Sequence, residues 1–317
     1  MNKLYIAMYH YVRDLKNSRY PNIKGLDLEL FRQQIDFFSK KFSVITMEEL
    51  IAYYQQGEKL PDNAMLLTFD DGYIDDYTNV LPVLHKYKMQ GSFFVPAKVF
   101  EEHSMLDVNK IHFILAKAPI DKLVNSLKMK MDEYRGTKWD YPSTDELYAK
   151  YAVASRFDPK EVIFIKRILQ VVLPEDLRHI ICDELYDMYV DIPEDVMARE
   201  LYVSYDQMKV MKDAGMFFGI HGYDHYWMNH LSAEEFDRDV NKALDSMQGL
   251  VDKRNWVINY PYGSYSDEVI AKVKDMGCVL GLSTDVGIAN IENTNRYMLP
   301  RLDCNDFPPK SDNYERV

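Results

Sequence analysis

"LLTFDDGY", residues 66–73, ends an apolar run on two adjacent carboxylates, Asp70 and Asp71, and closes on Gly72 and Tyr73. A short apolar run bounded by Asp and Gly reads as a buried strand that stops at a turn. Runs of the same kind recur at residues 4–9, 65–69, 92–95, 217–220, 257–260, 279–283 and 297–302. Between them lie longer segments of helical period. "LELFRQQIDFFSKKF" carries Leu30, Phe31, Ile35, Phe38 and Phe42 as one stripe, and "AEEFDRDVNKALDSMQGL" repeats it through Phe236, Val240, Leu244 and Met247, with Ser232 as N-cap. Strands alternating with helices predict an α/β domain with a parallel sheet.

Residues 101–199 break this rhythm. They read as several helices without strand alternation, carry Pro119, Pro142, Pro159, Pro174 and Pro193, and hold their clearest helix in "KEVIFIKRILQVVL". The expected organisation is therefore a domain built from residues 1–100 and 200–317, with a helical insertion at 101–199 that acts as a cap or as a buttress. Three widely spaced cysteines, Cys182, Cys278 and Cys304, suit neither a disulfide framework nor a CxxC metal site and read as buried apolar residues.

The 317 residues hold 38 Lys+Arg against 50 Asp+Glu, a net charge of −12, and no basic run, which argues against a nucleic-acid binder. No apolar run approaches the roughly 20 residues of a membrane-spanning helix. The opening "MNKLYIAMYHYV" reads as a first strand rather than a leader, so a cytoplasmic location is expected.

In parallel α/β folds functional groups collect just past the carboxyl ends of strands. Polar residues fall there repeatedly: Tyr9 and His10, Asp70 and Asp71, His221, the Pro261–Tyr262–Gly263 turn, Asp285 and Asp303. "HGYDH" places His221 and His225 with three residues between them, so two imidazoles can converge on one ion. His230 stands near them, although Trp227 and Leu231 beside it suggest packing. Two His and one Asp make a three-donor site with a position left open, as hydrolytic metals require. A bound cation keeps its ligand carboxylate ionised, whereas a general base must remain able to take a proton. Adjacent acids can divide these two tasks.

"TFDDG", "HGYDH" and "YPYGSY", in this order, resemble the three leading motifs of the polysaccharide deacetylase family, the NodB-homology domain of carbohydrate esterase family 4. "MYHYV", "FRQQIDFFSKKFSVITMEEL" and "RYMLPRLD" resemble the two ends of one of its subgroups. The resemblance covers roughly residues 4–100 and 205–305. It implies a distorted (β/α) barrel of about seven strands with the site at the strand ends. It also implies Asp70 as general base, Asp71, His221 and His225 as metal ligands, and the Tyr262 backbone N–H as a donor to the oxyanion. Asn259 stands where the third motif often has Arg, no Asp-Trp pair appears around "LSTDVG", and no Leu-x-His supplies the usual acid. His10 is the candidate acid, with Asp285 and Asp303 available to orient a partner or to bind sugar hydroxyls.

The reaction so implied is metal-dependent removal of N-acetyl groups from an amino sugar that is nucleotide-, lipid- or oligosaccharide-linked, in surface-polysaccharide biosynthesis. Zinc is the first expectation for the ion, and cobalt, nickel or iron suit the same donors. An amide hydrolase of this fold acting on a small non-sugar substrate, or a carbohydrate-binding protein without activity, are the alternatives. The sequence does not specify the oligomeric state.

Overall fold

The computed structural model describes residues 3–155 and 158–317. Seven parallel strands close a barrel: β1 (Lys3–Tyr9), β2 (Ala64–Asp70), β3 (Ser92–Val95), β4 (Phe217–Ile220), β5 (Trp256–Asn259), β6 (Cys278–Val286) and β7 (Leu299–Asp303). Each pairs with the next in sequence, and β7 returns to β1. This is the (β/α) barrel that the family resemblance implied, and its parallel sheet is the one that the strand–helix alternation predicted. Ser43–Val44 adds to β2 in parallel and Ala289–Asn290 to β1 in antiparallel fashion. Asp285 falls inside β6, and Tyr260 lies one residue beyond β5.

The strands alternate, and the alternation decides what reaches the site. Tyr9, Phe69, Phe93 and Phe218 stand in register on four successive strands. Their rings form one row, with Tyr9–Phe69 stacked at 5.0 Å, Phe69–Phe93 stacked at 4.8 Å and Phe93–Phe218 at 5.7 Å. Phe31, from the helix Leu28–Lys41, meets Tyr9 and Phe69 edge-on, so this row faces the outer helices. The intervening residues form a second apolar cluster that includes Leu4, Ile6, Leu66, Phe94, Val257, Leu280, Leu282 and Leu299. With a side-chain period of two, Thr68 and Asp70 share the face of Leu66, Asn259 that of Val257, and Arg301 that of Leu299. Strand phase alone thus carries four polar groups to one end of an apolar interior.

Local signals fix the helices around this barrel. Asp27 caps Leu28–Lys41 by accepting from the Glu29 N–H at 3.0 Å. Thr46 and Glu49 form a capping box on Met47–Gln56, which ends at Gly57 in the left-handed region, φ 72°. Ser232 and Glu235 do the same for Ala233–Ser246, whose buried face is Phe236, Asp239, Val240, Ala243 and Leu244. The end of the chain lies against the barrel domain, because Tyr314 is buried and stacks on Phe307 at 5.4 Å.

The chain divides into two compact units, residues 1–14, 25–104 and 198–317 in one and residues 15–24 and 105–197 in the other. The second unit is helical: Asp107–Lys117, Ile120–Tyr134, Thr144–Tyr151, Lys160–Arg167 and Glu175–Tyr189 bury Ile111, Ile114, Leu123, Leu127, Phe164, Ile181 and Leu185. "KEVIFIKRILQVVL" begins as the α-helix Lys160–Arg167 and widens to a π-helical turn over Ile168–Val172. Residues 15–24 belong to this unit through Tyr20, edge-on to Phe113 at 4.8 Å, and through an ion pair of Lys24 with Asp158. All three cysteines are buried and free. Among the described residues no helix is long and apolar enough to cross a membrane.

Candidate active site

Asp70 ends β2 on its inward face, and Asp71 begins the turn with φ 72°. This places the two neighbouring carboxylates in different surroundings. Asp70 is 2 % exposed and receives both ends of the Arg301 guanidinium, Nη1 to Oδ1 and Nη2 to Oδ2, at 2.8 Å each. Burial pushes the Asp70 carboxyl up, but the Arg301 charge and hydrogen bonds, together with His10 and His221, hold it below the usual carboxylate range. Arg301 is itself fully saturated. Its Nε donates to the Ser283 carbonyl at 2.8 Å, Nη2 to Asn259 Oδ1 at 2.9 Å and Nη1 to Thr68 Oγ1 at 3.2 Å.

Asp71 turns toward the imidazoles. Its Oδ1 lies 3.5 Å from Nε2 of both His221 and His225, while Oδ2 accepts from the Tyr73 hydroxyl at 2.6 Å. His221 Nδ1 lies 2.6 Å from the Asn259 carbonyl, which assigns it as the N–H donor and leaves Nε2 as an open donor atom for an ion. Burial pushes the His225 imidazole down to about 3, with His221 adding to the effect against the pull of Asp71 and Asp70. A neutral imidazole is the form that binds a metal. The three donor atoms lie within 4.8 Å of one another, so the set fits a divalent ion of the zinc type.

The "HGYDH" loop is held from outside the barrel wall. Asp239, on the helix Ala233–Ser246, accepts from the Tyr223 N–H at 2.9 Å through Oδ2 and from the Asp224 N–H at 3.0 Å through Oδ1. This close approach needs a glycine at 222, where φ is 71° and a Cβ would stand 2.9 Å from Asp239 Oδ2. The Ala97 and Lys98 N–H groups donate to the Gly222 and Tyr223 carbonyls at 3.3 and 3.1 Å. His225 itself sits at φ 61°, a conformation that costs about 1–3 kcal/mol in an L-residue and persists only where its surroundings impose it.

His10, just past β1, brings Nε2 to 3.9 Å from Asp70 Oδ2, and its side chain remains 41 % exposed. Tyr262 lies in the turn Pro261–Gly263 at φ 58°. Its ring packs on His225 at 4.6 Å and stacks on Trp227 at 4.7 Å, and Trp227 in turn stacks on His230 at 5.5 Å.

Two separate segments of the chain, residues 57–130 and 193–281, match the family model described as polysaccharide deacetylase, and together they make up about half of the sequence. The chain belongs to the polysaccharide deacetylase family. It is 31% identical over 97 residues to the Bacillus subtilis (strain 168) protein YxkH, assigned by name to the polysaccharide deacetylases. That match spans 30% of this chain and 33% of the relative. The fold is shared with the IcaB structure from Ammonifex degensii, TM-score 0.57 at 18% identity over 100% of this chain and 98% of the other. It is shared also with the Streptococcus pyogenes deacetylase PplD solved in complex with acetate, TM-score 0.56 at 18% identity over 99% and 96% of the two chains. The deacetylase domain of BpsB from Bordetella bronchiseptica aligns with TM-score 0.53 at 15% identity over 95% of each.

Within this polysaccharide deacetylase fold the residues singled out in the sequence separate into two groups. Asp70, Asp71, His221, His225 and His10 come together. His230 is exposed and serves the aromatic stack instead. Asp303 caps the turn Cys304–Asp306 through the Asn305 N–H at 2.8 Å, and Asp285 accepts from Tyr265 and Ser283 hydroxyls at 2.6 and 3.1 Å. Sequence reading missed Arg301 and Asp239, and it took Tyr73 for an aromatic near the site without its bond to Asp71. For Arg301 a signal existed, since "LPRLD" places a cation on the same strand face as Leu299. Asp239 was hidden as one acid among several on an amphipathic helix.

Proposed function

We propose that this chain is a metal-dependent deacetylase that releases acetate from an N-acetylated amino sugar. The observation that carries the reading is the division of labour between adjacent acids: Asp70 is locked to Arg301, and Asp71 presents one oxygen to two imidazole nitrogens. Asp71, His221 and His225 would hold the ion, which when bound polarises the acetyl carbonyl and makes water more acidic. Asp70, kept ionised by Arg301, takes a proton from the attacking water while retaining its bonds to the guanidinium, because a carboxylate has about four acceptor sites.

The leaving amine needs a proton before the C–N bond can break at neutral pH. His10 delivers it from the exposed side of Asp70. The Tyr262 backbone N–H donates to the carbonyl oxygen as negative charge develops there. The balance is one amide and one water giving one acetate ion and one protonated amine.

The test is acetate release from N-acetylglucosamine oligomers before and after chelation, with zinc content measured on the parent and on His225→Ala. Release that stops on chelation and returns with zinc, together with one ion per parent chain and little in His225→Ala, is the expected result. Equal zinc in the two proteins, or acetate release indifferent to chelation, would sink the proposal.

A further inference from the structure

Tyr73 is fully buried, and its hydroxyl is committed to Asp71 Oδ2 at 2.6 Å, the carboxylate oxygen turned away from the imidazoles. The ring cannot easily withdraw. It stacks on Tyr11 at 3.9 Å and 24°, and lies nearly parallel to Tyr202 at 6.2 Å and 14°. Its backbone is anchored as well, through an antiparallel bridge from Tyr73 to Tyr202 and a bond from the Val203 N–H to the Gly72 carbonyl at 3.0 Å. The slot therefore fixes where the phenol points, and the phenol fixes which Asp71 oxygen is left over.

We infer that Tyr73 is a positioning residue for the ion: by occupying Oδ2 it makes Asp71 a one-oxygen ligand and aims Oδ1 between His221 and His225. This rests on the metal triad proposed above and adds a residue to it. A carboxylate free to swing can offer both oxygens, which fills the position a hydrolytic site leaves open and reduces the order of the remaining donors. Groups that hydrogen-bond a metal-ligating side chain typically change metal affinity about 10- to 100-fold when removed. The rings of Tyr73 and Tyr11 supply packing; the hydroxyl supplies ligand geometry.

Tyr73→Phe separates the two, because it keeps the stack and removes the hydroxyl with its bonds to Asp71 and to Tyr11. Zinc affinity is measured by competition with a chromogenic chelator for the parent, Tyr73→Phe and His225→Ala, alongside the melting temperature of each metal-free protein. The inference expects zinc bound about 10- to 100-fold more weakly by Tyr73→Phe, with the metal-free melting temperature within a few degrees of the parent. Parent-like zinc affinity in Tyr73→Phe, with zinc lost from His225→Ala, overturns the role of Tyr73 and leaves the triad standing. Zinc retained by His225→Ala overturns the triad and the inference with it. Should Tyr73→Phe fail to fold, 4-fluorophenylalanine at position 73 fills the volume of the hydroxyl without a donor, and parent-like affinity in that protein overturns the inference equally.

Discussion

Arg301 on the last barrel strand grips Asp70 on the second through two parallel hydrogen bonds of 2.8 Å, across 231 positions of sequence. Both groups are almost completely buried. Removing one partner of such a pair strands the other charge in the interior and costs about 3–5 kcal/mol, whereas replacing both with apolar groups costs far less. Arg301→Met should therefore lower unfolding free energy in urea by about 3–5 kcal/mol, and Arg301→Met with Asp70→Leu should recover most of it. Additive losses in the double variant would contradict a paired role.

Asp70→Asn and Asp71→Asn should fail in different ways. The first removes the proton acceptor and should reduce turnover about 100- to 10,000-fold while zinc stays bound. The second replaces the oxygen that faces two imidazoles and should lose zinc itself. Loss of zinc from Asp70→Asn with activity retained would reverse the two roles.

His10→Ala should depend on the leaving group. Amide turnover should fall about 100-fold or more, because a neutral amine needs the proton. Hydrolysis of an aryl acetate, whose phenolate leaves without one, should change little. An equal loss on both substrates would show that His10 supports the site rather than protonating the product.

Asp239→Ala should leave the Tyr223 and Asp224 N–H groups without their acceptor, at about 1–3 kcal/mol for each unsatisfied buried donor. The loop these groups anchor carries His221 and His225, so zinc affinity should drop together with stability. A variant that unfolds earlier yet binds zinc like the parent would uncouple the clamp from the ligands.

Asp76 gives a pH prediction. It is 1 % exposed, neither carboxylate oxygen has a hydrogen-bond partner among the described residues, and burial, then the charges of Asp75, Asp70 and Asp71, push its carboxyl well above the usual range. An acid raised on folding binds protons more tightly in the native state. Its stabilising contribution is complete below the unfolded value near 3.9 and is lost as pH rises through the folded one. Asp76→Asn should melt higher than the metal-free parent at pH 8, with the gap closing toward pH 4. A gap that stays constant across this range would refute the buried proton.

The barrel and half of the site were legible because their signals are local. Most apolar runs end within a residue of a strand end, so Asp70, Asp71, His221 and Tyr262 announce themselves by position, and "HGYDH" adds a spacing that suits one ion. What supports them is contributed from afar. Arg301 reaches Asp70 only when the barrel closes β7 onto β1, and Asn259, where the family often has Arg, instead accepts a bond from Arg301. Tyr73 is adjacent in sequence to the motif, yet its role depends on Tyr11 and Tyr202, which close the slot around its ring. Asp303 and Asp285 find local partners instead: Asp303 caps the turn Cys304–Asp306, and Asp285, inside β6, accepts from the Tyr265 hydroxyl.

The capping box at Ser232 has a reach beyond its own helix. Asp239 stands seven residues on, two turns along the same face, and each residue of an α-helix advances by about 100°. If the helix were turned by one residue about its axis, its acid would swing out of line with the Tyr223 and Asp224 N–H groups, and the imidazole loop would lose its anchor. The azimuth of a surface helix, fixed by the packing of Phe236, Val240, Ala243 and Leu244 and begun at the Ser232 cap, thus sets the aim of the ligands.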